Sequence, residues 1–166
     1  LGHAIFFGVG GYAAGIFIVK YGITSFWLVT PAAMLTSVVT AAFIGFIVLR
    51  LHGIYFLLIT LSFGELFVSA AFQWRSITGG SDGLTQIPYP DLGLPGLSMD
   101  AMSFYYLAFA IFIIFLFVSY RVVNSSFGLA LQGIRADEQR MKHLGYNTWL
   151  YKYVAFIISG AFAGLA

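Results

Sequence analysis

The chain has no cysteine, few charged side chains and only four prolines. Without cysteine, disulfide bonds, thiolate metal sites and cysteine nucleophiles are excluded. Charged residues make up 8% of the 166 residues, whereas soluble globular domains carry about 25%. So few charges cannot cover a water-soluble domain of this size, and most of the surface is therefore expected to face lipid or other membrane helices. The net charge of +2 gives no reason to expect nucleic-acid binding.

Motifs for catalysis and for phosphate binding are also missing. The glycine cluster Gly8–Gly11 lies inside an apolar segment and lacks the lysine and hydroxyl residue of a P-loop. The three histidines, His3, His52 and His143, have no metal-ligand spacing. The sequence therefore predicts a protein that is not an enzyme and that has no metal site.

Long apolar segments are what the sequence has instead. They cover about 2–19, 26–49, 53–72 and 103–120, and a fifth begins near Tyr151. About 20 residues cross a bilayer as a helix, whereas barrel strands are about 10 residues with strict alternation, which is absent here. We therefore predict an all-α, polytopic transmembrane helical bundle, with residues 1–166 forming one membrane domain. The last apolar run is short and the chain starts at Leu1, so both ends are expected to lie inside a longer protein.

Loop charges predict the orientation. The outer loop, about 73–102, has one basic residue, Arg75, and three aspartates. The loop of about 121–150 is rich in Arg and Lys, and Lys152 lies just after it. Positive residues stay on the cytoplasmic side, so the second loop is assigned to the cytoplasm. Because successive spans cross in opposite directions, the turn with Arg50 is then inside and the turn with Lys20 outside. The outside position of Lys20 disagrees weakly with the preference of positive residues for the cytoplasm. In the outer loop, the Thr78–Gly83 stretch and Pro88, Pro90 and Pro95 are turn signals that argue against a long helix.

The cytoplasmic loop has helix signals of its own. Ser125 and its neighbours can cap a helix start, and Asp137 can cap a second short helix that stops at Gly145. An apolar stripe at helical spacing joins Leu131, Ile134, Met141 and Leu144. Two interpretations are open: a helix lying on the membrane surface, or a helix whose stripe docks into a groove on a cytoplasmic partner. On one continuous helix Glu138 would lie about 40° from Ile134, where a carboxylate suits a protein groove better than lipid.

Two helix faces stand out within the apolar segments. Tyr55, Ser62, Glu65 and Ser69 share one face of the third segment; they either line a translocation path or make buried structural hydrogen bonds. Gly8, Gly11 and Gly15 share one face of the first segment, which predicts close helix packing there.

Several stretches resemble the permease family of ABC importers for branched-chain amino acids. The similarity covers nearly the whole chain in the right order. It includes 51–56 with 60–65, then 74–84, 127–135 with 144–146, and 151–152 with 155–165. One departure is that Gln139, Arg140 and Met141 stand where many importers have a Glu-Ala-Ala stretch six residues before the glycine, here Gly145.

The resemblance implies the membrane-spanning subunit of an ATP-driven importer in the bacterial inner membrane. Its expected partners are two cytoplasmic ATPase subunits, a second homologous permease subunit and a periplasmic substrate-binding protein, with ATP bound by the ATPases and no cofactor in this chain. Residues implied in ATPase coupling are Arg135, Asp137, Glu138, Arg140, Met141, Leu144 and Gly145. Alternatives are a permease for urea or short amides, and an ion-coupled secondary transporter, which would need more intramembrane carboxylates than Glu65.

Overall fold

The fold is known from a computed structural model that describes residues 2–51, 53–84 and 101–166. Over these residues every regular element is helical, and no strand occurs. The α-helices are α1 His3–Tyr21, α2 Phe26–Val48, α3 Ile54–Gln73, α4 Arg75–Thr78, α5 Ala101–Val123, α6 Ser126–Ala136, α7 Glu138–His143 and α8 Thr148–Leu165, and a 3₁₀ turn covers Gly80–Asp82. The prolines of the predicted outer loop, Pro88, Pro90 and Pro95, lie outside the described residues, as does His52.

Five of these helices, α1, α2, α3, α5 and α8, are long and apolar enough to cross a membrane. This confirms the predicted all-α polytopic bundle, and the chain is a multi-pass membrane protein. The main boundary difference is at α8, which starts at Thr148 rather than near Tyr151. Asn147 explains the earlier start, because its Oδ1 accepts a hydrogen bond from the Leu150 amide at 3.2 Å and so caps the helix.

The core of the bundle is formed by α1, α2 and α8, which meet through small residues. Every fourth residue of one α2 face is small and buried. We call the following set the small-residue seam: Ala33, Ser37, Ala41 and Gly45 of α2 with Gly160 and Gly164 of α8. A Cβ added at Gly160 would lie 2.5 Å from the Ala41 Cβ, and one at Gly45 would lie 2.8 Å from the Phe156 ring. The helices therefore approach too closely for larger side chains at these positions.

Three side-chain hydrogen bonds connect the described parts of the three core helices, and one of them joins His3 Nε2 of α1 to Ser159 Oγ of α8 at 2.5 Å. The buried Ser37 hydroxyl donates to the Phe6 carbonyl of α1 at 3.0 Å. The Tyr153 hydroxyl of α8 donates to the Ala42 carbonyl of α2 at 3.1 Å. In a membrane, helices associate through such close packing and interhelical hydrogen bonds, because lipid is as apolar as the side chains it would replace.

The closest contact of α1 is at Gly10, which is not among the three glycines predicted to pack closely. A Cβ at Gly10 would lie 2.8 Å from the Gly164 Cα, whereas Cβ atoms at Gly8 and Gly11 would meet nothing within 4 Å. The prediction of close contacts at Gly8 and Gly11 is therefore wrong within the described residues. Gly15, the third member of that set, is buried.

The other two spanning helices pack less tightly. The aromatic side of α3, with Phe56, Phe63 and Phe67, lies against the core. No residue of the α5 span is buried by the described chain, although Phe115 makes an edge contact with Phe162 of α8 at a 5.0 Å ring separation. The exposed surface of α5 is largely apolar, whereas the side of α3 that points away from the core mixes apolar residues with polar ones such as Ser62 and Glu65.

The neighbouring glycines of α1 give a matched stability test. We expect Gly10→Ala to destabilise the subunit by about 1–3 kcal/mol, because the new methyl group would overlap the α8 backbone. Gly11→Ala should be nearly neutral or slightly stabilising, since it has free space and alanine favours the helix. Thermal unfolding of the full-length subunit in mild detergent measures both. Equal losses for the two variants would contradict the packing described here.

Candidate functional site

The loop after α5, which the sequence predicts to be cytoplasmic, folds into two short helices, α6 and α7, called here the α6–α7 segment (126–143). Ser125 caps α6, because its hydroxyl accepts a hydrogen bond from the Gly128 amide at 3.3 Å. A Cβ at Gly128 would lie 2.6 Å from the Val122 carbonyl oxygen. The start of α6 is therefore packed directly on the end of α5.

A sharp break separates α6 from α7 at Asp137. Its backbone is extended, with φ −156° and ψ 101°, so it ends one helix and begins the next. The Asp137 carboxylate accepts a hydrogen bond from the Arg140 amide at 3.0 Å and caps α7. At the other end, Gly145 has φ 88°, a left-handed conformation that favours glycine. The predicted cap and stop of the second helix are confirmed.

Glu138 connects α7 to α8. Its carboxylate accepts hydrogen bonds from Lys152 at 2.7 Å and from Thr148 at 3.1 Å, and Lys142 forms an ion pair with it at 3.1 Å. Thr148 is buried, and the Glu138 and Lys152 side chains are each 28% exposed. Two of the three partners belong to the first turns of α8, so this contact fixes the segment on a membrane-spanning helix.

The same contacts keep Glu138 ionised. The hydrogen bond from Lys152 is the largest cause that lowers the Glu138 pKa, to about 2, and burial partly opposes it. Lys142 and Thr148 lower the pKa further through their own hydrogen bonds. Glu138 therefore carries its full charge throughout the physiological pH range.

Aromatic side chains complete the attachment. The Phe127 ring of α6 stacks on Tyr151 of α8 at 5.5 Å between ring centroids. Tyr146 meets the same ring edge-on at 5.8 Å. Trp149 stacks on Tyr153 at 5.0 Å and contacts Phe46 of α2 edge-on. Both helices of the segment are thus held against the start of α8.

The predicted apolar stripe is largely used inside the chain. Ile134 is buried and Leu131 and Met141 are half-buried, whereas Leu144 is 67% exposed. The placement of Glu138 at the middle of this stripe is wrong, because the break at Asp137 rotates α7 away from the continuous helix that the 40° angle assumed. The basic partners of Glu138 come from its own chain.

The seven residues predicted for ATPase coupling divide into two groups. Asp137, Glu138 and Met141 are half-buried and hold the segment together. The other four are exposed and form what we call the outer face: Arg135, Arg140, Leu144 and Gly145. Arg140 also lies 3.5 Å from the Asp137 carboxylate. The outer face therefore combines two cations with one large apolar side chain on a fixed backbone.

The polar residues of α3 lie on the side of the helix that faces away from the core. Tyr55, Ser62, Glu65 and Ser69 are all exposed, so the alternative of a buried structural hydrogen bond does not describe them within this chain. Ser62 donates to the Leu58 carbonyl of its own helix at 3.0 Å, and Ser69 accepts from Gln73 at 3.1 Å.

A groove of about 630 Å³ runs between α1 and α3 and includes Glu65. Its walls are mostly apolar, with Gly8, Tyr12 and Thr60 among them. Trp74 and Thr78 line it as well. Thr78 is held by hydrogen bonds to the Ala71 and Trp74 carbonyls at 2.5 and 2.9 Å, which explains how the Thr78-Gly79-Gly80 turn closes over the end of α3.

Comparison with known proteins gives one consistent result. The family model described as "Branched-chain amino acid transport system / permease component" matches residues 1–166. Two relatives named "High-affinity branched-chain amino acid transport system permease protein LivM", from Salmonella typhimurium and Escherichia coli K12, are each 34% identical over the whole chain. The chain spans 44% of the length of each. No solved structure matches it significantly.

The two lysines that bind Glu138 should contribute unequally to anchoring the segment. We expect Lys152→Met to lower the opening free energy of the α7 amides by about 1.5–3 kcal/mol, because it removes a charged hydrogen bond at a largely buried site. Lys142 is 55% exposed, so Lys142→Met should cost about 1 kcal/mol or less. Native-state hydrogen exchange of the full-length subunit measures both. A larger effect at Lys142 would contradict the geometry.

The lowered pKa of Glu138 predicts a specific pH response. Its folded-state pKa of about 2 lies below the unfolded value of roughly 4.3, so its stabilisation is complete above roughly pH 5 and is lost as pH falls towards 2. Between pH 5 and 8, α7 amide protection corrected for intrinsic exchange should not change through this group. Glu138→Gln should show weaker protection at pH 7 and a flatter acid response. An acid response identical to wild type would rule out this role.

Proposed function

The chain belongs to the branched-chain amino acid transport system permease family, and we propose that it is part of the membrane-spanning subunit of an ATP-driven importer for branched-chain amino acids. The proposal is supported by the whole-chain similarity to two relatives named as high-affinity permeases for these substrates. A bacterial inner membrane is the location that fits such an importer. The observation on which the proposal rests is the α6–α7 segment, whose outer face is exposed while its inner residues are fixed to spanning helices.

An ATPase can drive a membrane subunit only if the contact between them is stiff. The segment meets this requirement at both ends, since Gly128 is packed on the end of α5 and Glu138 is bound to the first turns of α8. A force applied at Arg140 or Leu144 would therefore move α5 and α8 rather than bend a loop. The outer face, with its two arginines and Leu144, suits a partner groove that has an apolar floor and acidic rim.

The full assembly would contain two cytoplasmic ATPase subunits, a second homologous permease subunit and a periplasmic substrate-binding protein. ATP would bind to the ATPase subunits, so this chain would need no cofactor. The uncovered apolar faces of α3 and α5 would then pack against the remainder of the subunit, the second permease or lipid.

The polar face of α3 is where we place the translocation path. Tyr55, Ser62, Glu65 and Ser69 point away from the α1–α2–α8 core, and Glu65 also lines the α1–α3 groove. A carboxylate in the bilayer must face protein or water, because its burial in lipid costs a few kcal/mol or more. A water-filled path along this face of α3 would satisfy it.

Two alternative transport functions predict different substrates or energy sources. A urea or short-amide importer would share the same coupling machinery, and an ion-coupled transporter would use Glu65 without an ATPase. Reconstitution of the full-length subunit with its partner permease, ATPases and binding protein separates the three. Uptake of labelled leucine that requires ATP supports the proposal, uptake of urea instead would change the substrate, and ion-driven uptake without ATPases would refute it.

Leu144 should be the most sensitive position of the outer face. We expect Leu144→Asp to lower ATP-dependent uptake at least about tenfold, since placing a charge in an apolar contact costs more than 1.4 kcal/mol. The subunit should still fold, because Leu144 is 67% exposed. Uptake and ATPase stimulation in proteoliposomes measure the effect.

Leu129→Asp is the matched control. Leu129 is 62% exposed and lies on α6 outside the residues predicted for coupling, so this variant should retain most of the uptake. Normal coupling in Leu144→Asp, at wild-type amounts of inserted protein, would remove Leu144 from the docking surface.

A further inference from the structure

A cavity of about 500 Å³ lies between the end of α2 and the start of α8, beside the α6–α7 segment. Leu49 and Arg50 form its α2 wall. Its remaining wall comes from α7, the following turn and α8, chiefly through Glu138, Lys142, Trp149 and Lys152. Of its lining residues only Gly145 also belongs to the outer face, so the two surfaces are adjacent but largely made of different residues.

The cavity has an excess of positive charge. Arg50, Lys142 and Lys152 line it with Glu138 as the single carboxylate, which leaves two positive charges in excess. Lys152 forms an ion pair with Glu138 at 2.7 Å. Lys142 pairs with the same carboxylate, but its side chain is 55% exposed. The start of α8 adds the partial positive charge of a helix N-terminus.

Arg50 is the cation available to a ligand. Among the described residues it has no carboxylate within ion-pair distance, and its guanidinium lies 4.4 Å from the centre of the Phe46 ring. That cation–π contact holds the side chain beside the cavity without using up its fork of N–H donors. A phosphate group is the kind of anion that such a fork binds well.

The position of the cavity selects the source of the phosphate. Arg50 follows the last turn of α2 and Trp149 lies in the first turn of α8, so both are at the level where spanning helices leave the bilayer. Trp149 also places ring surface in the wall, and its buried Nε1–H donates to no acceptor among the described residues. Tryptophan is enriched at this level, and the cytoplasmic leaflet supplies anionic lipids that basic pockets between helices bind.

We propose that this cavity binds the headgroup phosphate of an anionic phospholipid of the cytoplasmic leaflet, with Arg50 and Lys142 as its charged contacts. The proposal rests on the cytoplasmic placement of the α6–α7 segment but on neither the substrate nor the energy source of transport. Free phosphate has the same chemistry, but it would gain nothing from a site at the membrane surface. A lipid bound here would bridge α2 and α7 and add to the anchoring by Glu138.

The test uses the full-length subunit, purified in mild detergent, and its thermal unfolding midpoint as a function of added lipid. Phosphatidylglycerol should raise the midpoint, whereas phosphatidylcholine and inorganic phosphate at the same concentration should not. Arg50→Gln should weaken the apparent affinity for phosphatidylglycerol roughly fivefold, the effect of losing one cation near an anionic headgroup. Arg50→Lys keeps the charge and should bind more tightly than Arg50→Gln, which separates binding from folding.

Arg121→Gln is the matched control. Arg121 lies in the last turn of its spanning helix α5, at the end predicted to be cytoplasmic, and its guanidinium also lies over a ring, 5.3 Å from the Phe117 centroid. It does not line the cavity. Its loss should leave the phosphatidylglycerol affinity unchanged. The proposal is overturned if Arg50→Gln and Arg121→Gln weaken the affinity equally, or if inorganic phosphate stabilises as well as the lipid. It is also overturned if Arg50→Gln lowers ATPase affinity while lipid affinity stays intact.

Because this assay measures lipid binding without transport, its failure leaves the importer proposal standing. Conversely, a subunit that binds phosphatidylglycerol through Arg50 but transports nothing would refute only the importer proposal.

Discussion

Close approach of α2 and α8 is the constraint on which the remaining structure depends. Lipid offers apolar side chains as good an environment as a protein core, so hydrophobic burial alone does not bring these helices together. The small-residue seam does so by letting the backbones approach closely, and the Ser37 hydroxyl of the same α2 face donates to the Phe6 carbonyl of α1. A side chain as small as alanine at Gly160 or Gly164 would have to displace a neighbouring helix. The seam thereby fixes the position of α8, and α8 fixes the position of the α6–α7 segment.

Glu138 fixes the α6–α7 segment relative to α8. Its two α8 partners, Thr148 and Lys152, lie one turn apart on the helix, so the carboxylate fits in one place only. Partly burying this charge costs free energy, and for that reason burial alone would raise the Glu138 pKa. The hydrogen bonds from Lys152, Lys142 and Thr148 outweigh that cost, since the net shift is towards the charged form. Specific attachment, rather than large stability, is what this arrangement supplies.

Much of this architecture could be predicted from the sequence, and the failures have physical causes. Five spans and the caps at Ser125 and Asp137 follow from hydropathy and from local hydrogen-bonding chemistry, which need no knowledge of neighbours. The sequence could not show that Gly10, rather than Gly8 or Gly11, makes the close contact. Helix α1 carries glycine on more than one face, and only the packing of α8 decides which face is in contact. The seam did leave a signal, since Ala33, Ser37, Ala41 and Gly45 recur every fourth residue. Glu138 was misplaced because a break of one residue at Asp137 changes every projected angle that follows it.

The described helices also suggest how movement of the α6–α7 segment would reach the proposed path. Helix α8 has 18 residues and is roughly 27 Å long, so a tilt imposed at Glu138 would be carried through the bilayer by a rigid element. At Gly164 it would meet the α1 backbone at Gly10. On its other side α1 forms one wall of the groove whose second wall includes Glu65 of α3. Since α3 packs on the core through larger side chains such as Phe63 and Ile59, and Gly8 of α1, which lines the groove, has nothing within 4 Å of an added Cβ, α1 could shift relative to α3 without breaking a close glycine contact there. Under the proposed function, the tight contacts would therefore lie on the side that transmits force, and the loose ones on the side that opens.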